Sequence, residues 1–188
     1  MIKKIKNHAV KHGCVMNGIE DLMQGEVADI FYSDPPWGNG NLKYWQTMNK
    51  KMTGAEKNEE IELSSFINQI FSIASNHSKG LVFIEYGVKW EKEIIEYGNK
   101  FGFISIEVIP LQYRSGNRLL PLHLHIFSKN LIALPDGYVE SVSYTYGFNC
   151  LKKAILPFAK KGLTILDPCC GMGYTAKIAL MSGKREKR

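Results

Sequence analysis

Two periods of apolar residues run along the chain. The stretch Ala28-Asp29-Ile30-Phe31-Tyr32-Ser33 is almost continuously apolar and reads as a buried strand over 27–33. From Leu63 the pattern changes. Leu63, Phe66, Ile67, Ile70, Phe71 and Ala74 fall at i, i+3, i+4, i+7, i+8 and i+11, one face of an amphipathic helix. Leu81–Ile84 is again a short apolar run and a buried strand. Trp90 to Lys100 has helical content, with Gly98 near its end. Phe103–Ile109 reads as a strand that Pro110 stops, and Leu122–Phe127 alternates as a strand does. Residues 13–18 suggest a short strand, and Ile19 to Gln24 a helical turn. Asn149 is placed to cap a helix running through Phe158, with Pro157 as a break and Gly162 as a stop. Thr164–Leu166 is a last short strand and Thr175 to Met181 a last helix. The polar segments 38–60 and 112–121 read as long loops, the second carrying Arg114 and Arg118.

Strands that alternate with helices predict an α/β fold, a mostly parallel sheet with helices on both faces. The connection between 103–109 and 122–127 is too short for a crossover helix, so those strands should form an antiparallel hairpin. The 188 residues suit a single domain over 1–188.

Composition narrows the function. Hydrophobic content of 45% and charged content of 22% are ordinary for a globular chain. No stretch approaches the ~20 apolar residues that span a bilayer. The basic N-terminus lacks the apolar segment of a secretory signal, so the expected location is cytoplasmic. Net charge is +6, residues 1–12 and 110–130 carry lysines and arginines but no acid, and the tail is Lys-Arg-Glu-Lys-Arg, as suits a polyanionic partner. The cysteines Cys14, Cys150, Cys169 and Cys170 form no Cys-x-x-Cys pair. His123 and His125 share a strand face but have no third ligand nearby in sequence. No metal is expected.

Two phrases carry chemistry. Asp34-Pro35-Pro36-Trp37 follows the 27–33 strand, placing a carboxylate, two rigid prolines and an aromatic ring at a strand's carboxyl end, where open α/β sheets bind ligands. Leu166-Asp167-Pro168-Cys169-Cys170-Gly171-Met172-Gly173-Tyr174-Thr175 repeats the strand-then-loop form and opens a helix. Its glycines permit a tight turn and close approach of a ligand, and the helix amino terminus offers free N–H groups to an anion.

Together these phrases resemble the S-adenosylmethionine-dependent amino-methyltransferases of nucleic acid bases. The string Leu-Asp-Pro-x-Cys-Gly-x-Gly-x-Thr is similar to their cofactor loop, and the catalytic phrase preceding it resembles the circularly permuted beta-type order. Tyr44-Trp45-Gln46-Thr47-Met48 is similar to the Tyr-x-Thr-Met of adenine methyltransferases related to the messenger-RNA group. The resemblance spans roughly 13–183 and implies a Rossmann-like methyltransferase fold.

It implies further that Asp167, Pro168, Cys169, Gly171, Gly173, Tyr174 and Thr175, with Phe148 and Asn149, hold S-adenosylmethionine. Asp34, Pro35, Pro36 and Trp37 would be catalytic: Asp34 and the Pro35 carbonyl would take the amine hydrogens, and Trp37 would stack on a base flipped from its duplex. Tyr44, Arg114 and Arg118 would meet the substrate. The Asp at the head of the phrase points to adenine N6 in DNA. RNA adenine N6, DNA cytosine N4 and an inactive nucleic-acid-binding module stay open as alternatives. Relatives follow the cofactor loop with a strand whose acid binds the ribose, whereas this sequence ends Lys184-Arg185-Glu186-Lys187-Arg188. The resemblance therefore leaves terminal strands missing, Glu186 as the remaining acid and a homodimer or partner subunit to complete the site. Glu20 or Asp21 would be candidates to face the cofactor adenine.

Overall fold

A computed structural model describes residues 2–5, 8–53, 61–160 and 162–184. The chain opens with an antiparallel hairpin of β1 (Ile2–Ile5) and β2 (His8–Lys11), which the hydrophobic pattern did not disclose. A 3-10 turn at Val15–Asn17 replaces the strand expected over 13–18. The turn of α1 (Glu20–Met23) follows as expected. Next come β3 (Ala28–Ser33), α2 (Gly38–Thr53), α3 (Leu63–His77), β4 (Ser78–Tyr86) and α4 (Glu91–Lys100). The rest is β5 (Ile104–Ser115), β6 (Arg118–Ser128), α5 (Tyr138–Val142), α6 (Gly147–Ile155), β7 (Ile165–Leu166) and α7 (Tyr174–Lys184).

The main sheet has the order β5-β6-β4-β3-β7. β7, β3 and β4 are parallel, and β6 and β5 add as an antiparallel hairpin. β3 and β4 are buried on both faces, which explains their continuous apolar runs. One face carries Phe31, Val82, Ile84 and Phe127 against the α3 residues Phe66, Ile70 and Phe71. The other carries Ile30, Phe83, Leu124 and Ile126 against Val142, Leu151, Ile155 and Ile178 of α5, α6 and α7. This is the three-layer α/β arrangement anticipated.

The two segments read as loops differ. Residues 38–53 are helical, and 54–60 lie outside the described residues. Residues 112–121 are strand on both arms, with a tight turn at Gly116 (φ +59°) and Asn117. β5 runs straight through Pro110 because it is the edge strand, where the missing N–H costs no ladder bond. The segment after α5 covers that edge: Tyr144 N–H donates to the Pro110 carbonyl (2.7 Å), and Gln112 N–H donates to the Thr145 carbonyl (3.1 Å).

β3 and β4 approach closely where their register shifts between Ala28 and Ile30. A Cβ on Gly80 would stand 2.0 Å from the Asp29 carbonyl oxygen, a backbone atom. Asp29 is itself fixed, accepting from Thr164 N–H (2.9 Å) and pairing with Lys79 (3.0 Å). Gly80→Ala is therefore expected to lower stability by about 1–3 kcal/mol, the usual range for overpacking, read as a fall in the urea midpoint.

Candidate active site at the carboxyl edge of the sheet

The parallel strands β7, β3 and β4 end at the same edge, and an acid stands at or just past the end of each. Register sets their order. Ser33 lies opposite Ile84, so Asp34 falls beside Glu85, while Phe31 opposite Leu166 sets Tyr32 beside Asp167. Strand alternation places Tyr32 and Asp34 on one face, the face covered by α6 and α7.

Asp34 is solvent-accessible but crowded by protein. The indole N–H of Trp37 donates to its Oδ1 at 3.1 Å. Desolvation by the protein packed around its open side raises the Asp34 carboxyl to about 6, and the Trp37 bond opposes that rise. Trp37 packs edge-on against Tyr113 of β5, with ring centroids 4.7 Å apart. The hairpin thus braces the indole that orients the carboxylate. The rigid turn is pinned from below. Tyr86, at 1% exposed, donates its hydroxyl to the Pro36 carbonyl at 3.2 Å. Gly38 (φ +83°) lies against the Trp90 ring, where a Cβ would come within 2.6 Å. Pro35 is buried and Pro36 half-buried.

Asp167 is gripped from its own loop. Cys169 N–H donates to Oδ1 (3.0 Å) and the Thr175 hydroxyl to Oδ2 (2.8 Å). Burial nevertheless raises its carboxyl to about 7. Gly171 (φ +39°) and Gly173 (φ +71°) make the turn that delivers the chain into α7, and a Cβ at Gly173 would meet nothing within 4 Å. A ligand group can therefore approach that backbone, beside a helix N-terminus and a carboxyl with spare lone pairs. Phe148 from α6 packs against Tyr174 (centroids 5.5 Å), and Lys177 lies over both rings. Pro168 and Cys169 are half-buried in the same loop.

Other expected residues are more spread out. Asn149 is exposed in the first turn of α6 and does not cap it; the capping position is Tyr146, without a side-chain bond. Tyr44 is 56% exposed on α2, in edge contact with Trp45. Arg114 and Arg118 flank the exposed hairpin tip. A groove of about 170 Å³ runs beneath that tip, bordered by Gln112, Leu119, Pro121 and Tyr144. Asp21 is bound to Lys11 (2.6 Å), and Glu20 lies 3.7 Å from His77. Glu186 lies outside the described residues. No group of three or more potential metal ligands occurs among the described residues, and no described helix is long and apolar enough to cross a membrane.

The residue missed by sequence reasoning is Glu85. It is 7% exposed and accepts a hydrogen bond from Tyr32 Oη at 2.9 Å, with Cys150 Sγ at 3.8 Å. Burial, with Asp34 nearby, pushes its carboxyl up to about 8. The available signal was an acid set between Ile84 and Tyr86 in a run buried on both faces.

No family model and no curated protein matches the sequence. Solved structures do. M1.HpyAVI in complex with SAM superposes with a TM-score of 0.60 at 14% identity, covering 92% of this chain and 87% of that one. TTHA0409 from Thermus thermophilus, assigned as a DNA modification methylase, superposes with a TM-score of 0.56 at 13% identity, covering 87% and 82%. A second structure of TTHA0409, complexed with S-adenosyl-L-methionine, gives 0.51 at 13% identity, covering 87% and 81%. The fold is thus the Rossmann-like fold that these structures share.

Proposed function

We propose that this chain transfers a methyl group from S-adenosylmethionine to the N6 amine of adenine in DNA. The observation that carries the reading is the placement of Asp34 and Asp167 at the ends of two adjacent parallel strands, β3 and β7. The structural neighbours support it through the ligand in their structures and the DNA modification named for TTHA0409.

The residues fit the cofactor. Its methionine end carries a carboxylate and an ammonium, which match the amino terminus of α7 and the Asp167 carboxyl. When bound, the cofactor supplies an electrophilic methyl group on a sulfonium. Everything else falls to the chain. The lone pair of an exocyclic amine is delocalised into the base, so nitrogen must be drawn toward tetrahedral geometry. Asp34 accepts one N–H, and the Pro35 carbonyl accepts the other; proline adds no competing donor. As the N–CH3 bond forms, positive charge develops on that nitrogen; the Asp34 carboxylate stabilises it, takes one amine proton and passes that proton to solvent. Trp37 holds the carboxylate in place, and its ring face and Tyr113 border the space a base would enter. Arg114 and Arg118 contact phosphates, and Tyr44 offers a stacking surface.

Nucleoside mass spectrometry tests the reading after incubation of the protein with S-adenosylmethionine and DNA or RNA. N6-methyladenine in DNA is the expected product. N4-methylcytosine, or methylation only of RNA, would replace the base or polymer. No methylated base together with nucleic-acid binding would favour the inactive module. Asp167→Asn preserves size but removes the charge opposite the ammonium, and is expected to weaken cofactor binding about tenfold or more, as for a lost charge-assisted bond, measured by calorimetry.

A further inference from the structure

Glu85 has no part in the mechanism above, yet it is an almost fully buried acid at its centre. The groups that face it are acids or neutral donors. Tyr32 and Asp34 come from β3 and its loop, Asp167 from the loop after β7, and Cys150 from α6; its neighbour across β6 is Leu124. Among the described residues no ion pair reaches it. A buried carboxyl with no cation beside it is a costly arrangement for a fold. The cost falls when the group is held neutral, or when a positively charged ligand enters beside it.

The proposed reaction supplies such a ligand in one of its two states. S-adenosylmethionine carries a sulfonium, and the product S-adenosylhomocysteine carries a neutral thioether. Both carry the same ammonium and carboxylate. Register sets Asp34, at the amine end, beside Glu85, and it sets Tyr32, which donates to Glu85, beside Asp167, at the methionine end. Glu85 is therefore placed to feel a charge lying between them.

We propose that Glu85 reads the charge of the cofactor, releasing its proton to solvent when the sulfonium binds and keeping it when the thioether product is bound. The inference rests on the methyltransferase reading. It assigns Glu85 a positioning role that favours substrate cofactor over spent product. Tyr32 supports both forms, since its hydroxyl can donate to the ionised carboxylate and to the carbonyl oxygen of the neutral acid. No covalent step is involved: one proton passes to water as one positive charge arrives.

The test is isothermal titration calorimetry of S-adenosylmethionine and S-adenosylhomocysteine, from pH 6.5 to 8.5, in phosphate and in Tris. These buffers differ in ionisation heat and so count protons. Asp34 titrates mostly below this window, and any contribution from Asp167 to the shared ammonium cancels between the ligands. The Glu85 carboxyl, raised to about 8, titrates within it. Affinity for S-adenosylmethionine is expected to rise about tenfold across the window relative to S-adenosylhomocysteine, since each unit by which binding lowers a carboxyl's pKa is worth tenfold. Proton release should accompany only the sulfonium ligand, by up to one proton. In Glu85→Gln, which keeps an oxygen for Tyr32, the difference should vanish while S-adenosylhomocysteine still binds. Equal proton release and parallel pH profiles for the two ligands in the unmodified protein would overturn the inference and leave the methyltransferase reading standing. Failure of both ligands to bind would overturn that reading and this inference with it.

Discussion

Asp34→Ala is expected to reduce methyl transfer by about 10²–10³-fold, the range for loss of one preorganised electrostatic contact, with cofactor affinity changed only a few-fold. In the proposed reaction the carboxylate is the partner for an amine that must pyramidalise and become positive, so its removal would act on the transfer step. The loop proposed to hold the cofactor, with Asp167 held by Cys169 and Thr175, lies between β7 and α7 and should stay intact. Single-turnover rates with labelled S-adenosylmethionine separate the two effects. Asp34→Asn sharpens the experiment. It keeps an oxygen for the Trp37 N–H but cannot carry charge, so it should be nearly as slow as the alanine variant. The unmodified protein should gain transfer rate as pH rises through about 6, where the Asp34 carboxyl ionises, and then level off. A rate independent of Asp34, with N6-methyladenine still formed, would remove the residue from the mechanism.

The parts of this molecule that were legible in the sequence are those whose burial leaves a periodic record. α3 buries one stripe, and Phe66, Ile67, Ile70, Phe71 and Ala74 mark it residue by residue. β3 and β4 are covered on both faces and show as unbroken apolar runs. α2 left no such record. Leu42 is its buried anchor, whereas Tyr44 and Trp45 stand exposed amid glycine, asparagine and lysine. Its helix was therefore indistinguishable from a polar loop. The outer arms of the β5–β6 hairpin were hidden similarly, because Arg114, Arg118 and Leu119 are exposed and Pro110 reads as a stop until an edge position is known. The two strand-end phrases were legible because their chemistry is local. Glu85 was not: its meaning depends on Tyr32 and Cys150, which are 53 and 65 positions away in sequence. The brace between Trp37 and Tyr113 is another long-range contact, and it appears only once the hairpin extends past Pro110.

Stability of the ligand-free protein is expected to fall as pH rises from 6.5 to 8.5. In the folded chain, burial holds the Asp167 and Glu85 carboxyls up to about 7 and about 8. In the unfolded chain both ionise near their ordinary values of about 4. Across this interval the unfolded chain binds fewer protons than the folded one, so the unfolding free energy falls with pH. The carboxyl contribution levels off once the folded carboxyls have also ionised. His125 works in the opposite sense, but over a lower range. It is fully buried and neutral, with its pKa depressed to about 4, so its contribution grows between about 4 and its ordinary value near 6.5 and is then complete. Above pH 6.5 the carboxyls therefore lead the decline in a thermal melt series, and the Cys150 and Cys169 thiols, which burial holds well above their ordinary range, add to it only as pH nears 8.5. At this chain length each kcal/mol lost moves the midpoint by about 2–4 °C. Glu85→Gln should flatten most of the decline and melt higher than the unmodified protein at pH 8.5, because it removes the acid whose ionisation the fold opposes. Saturating S-adenosylmethionine should flatten it too, by adding the positive charge that the cluster lacks. A midpoint that rises with pH over this range would mean that the carboxyls are already ionised and paired in the folded protein. The acids proposed to attract a cation are thus the groups expected to cost the empty fold stability, and the same titration measures both.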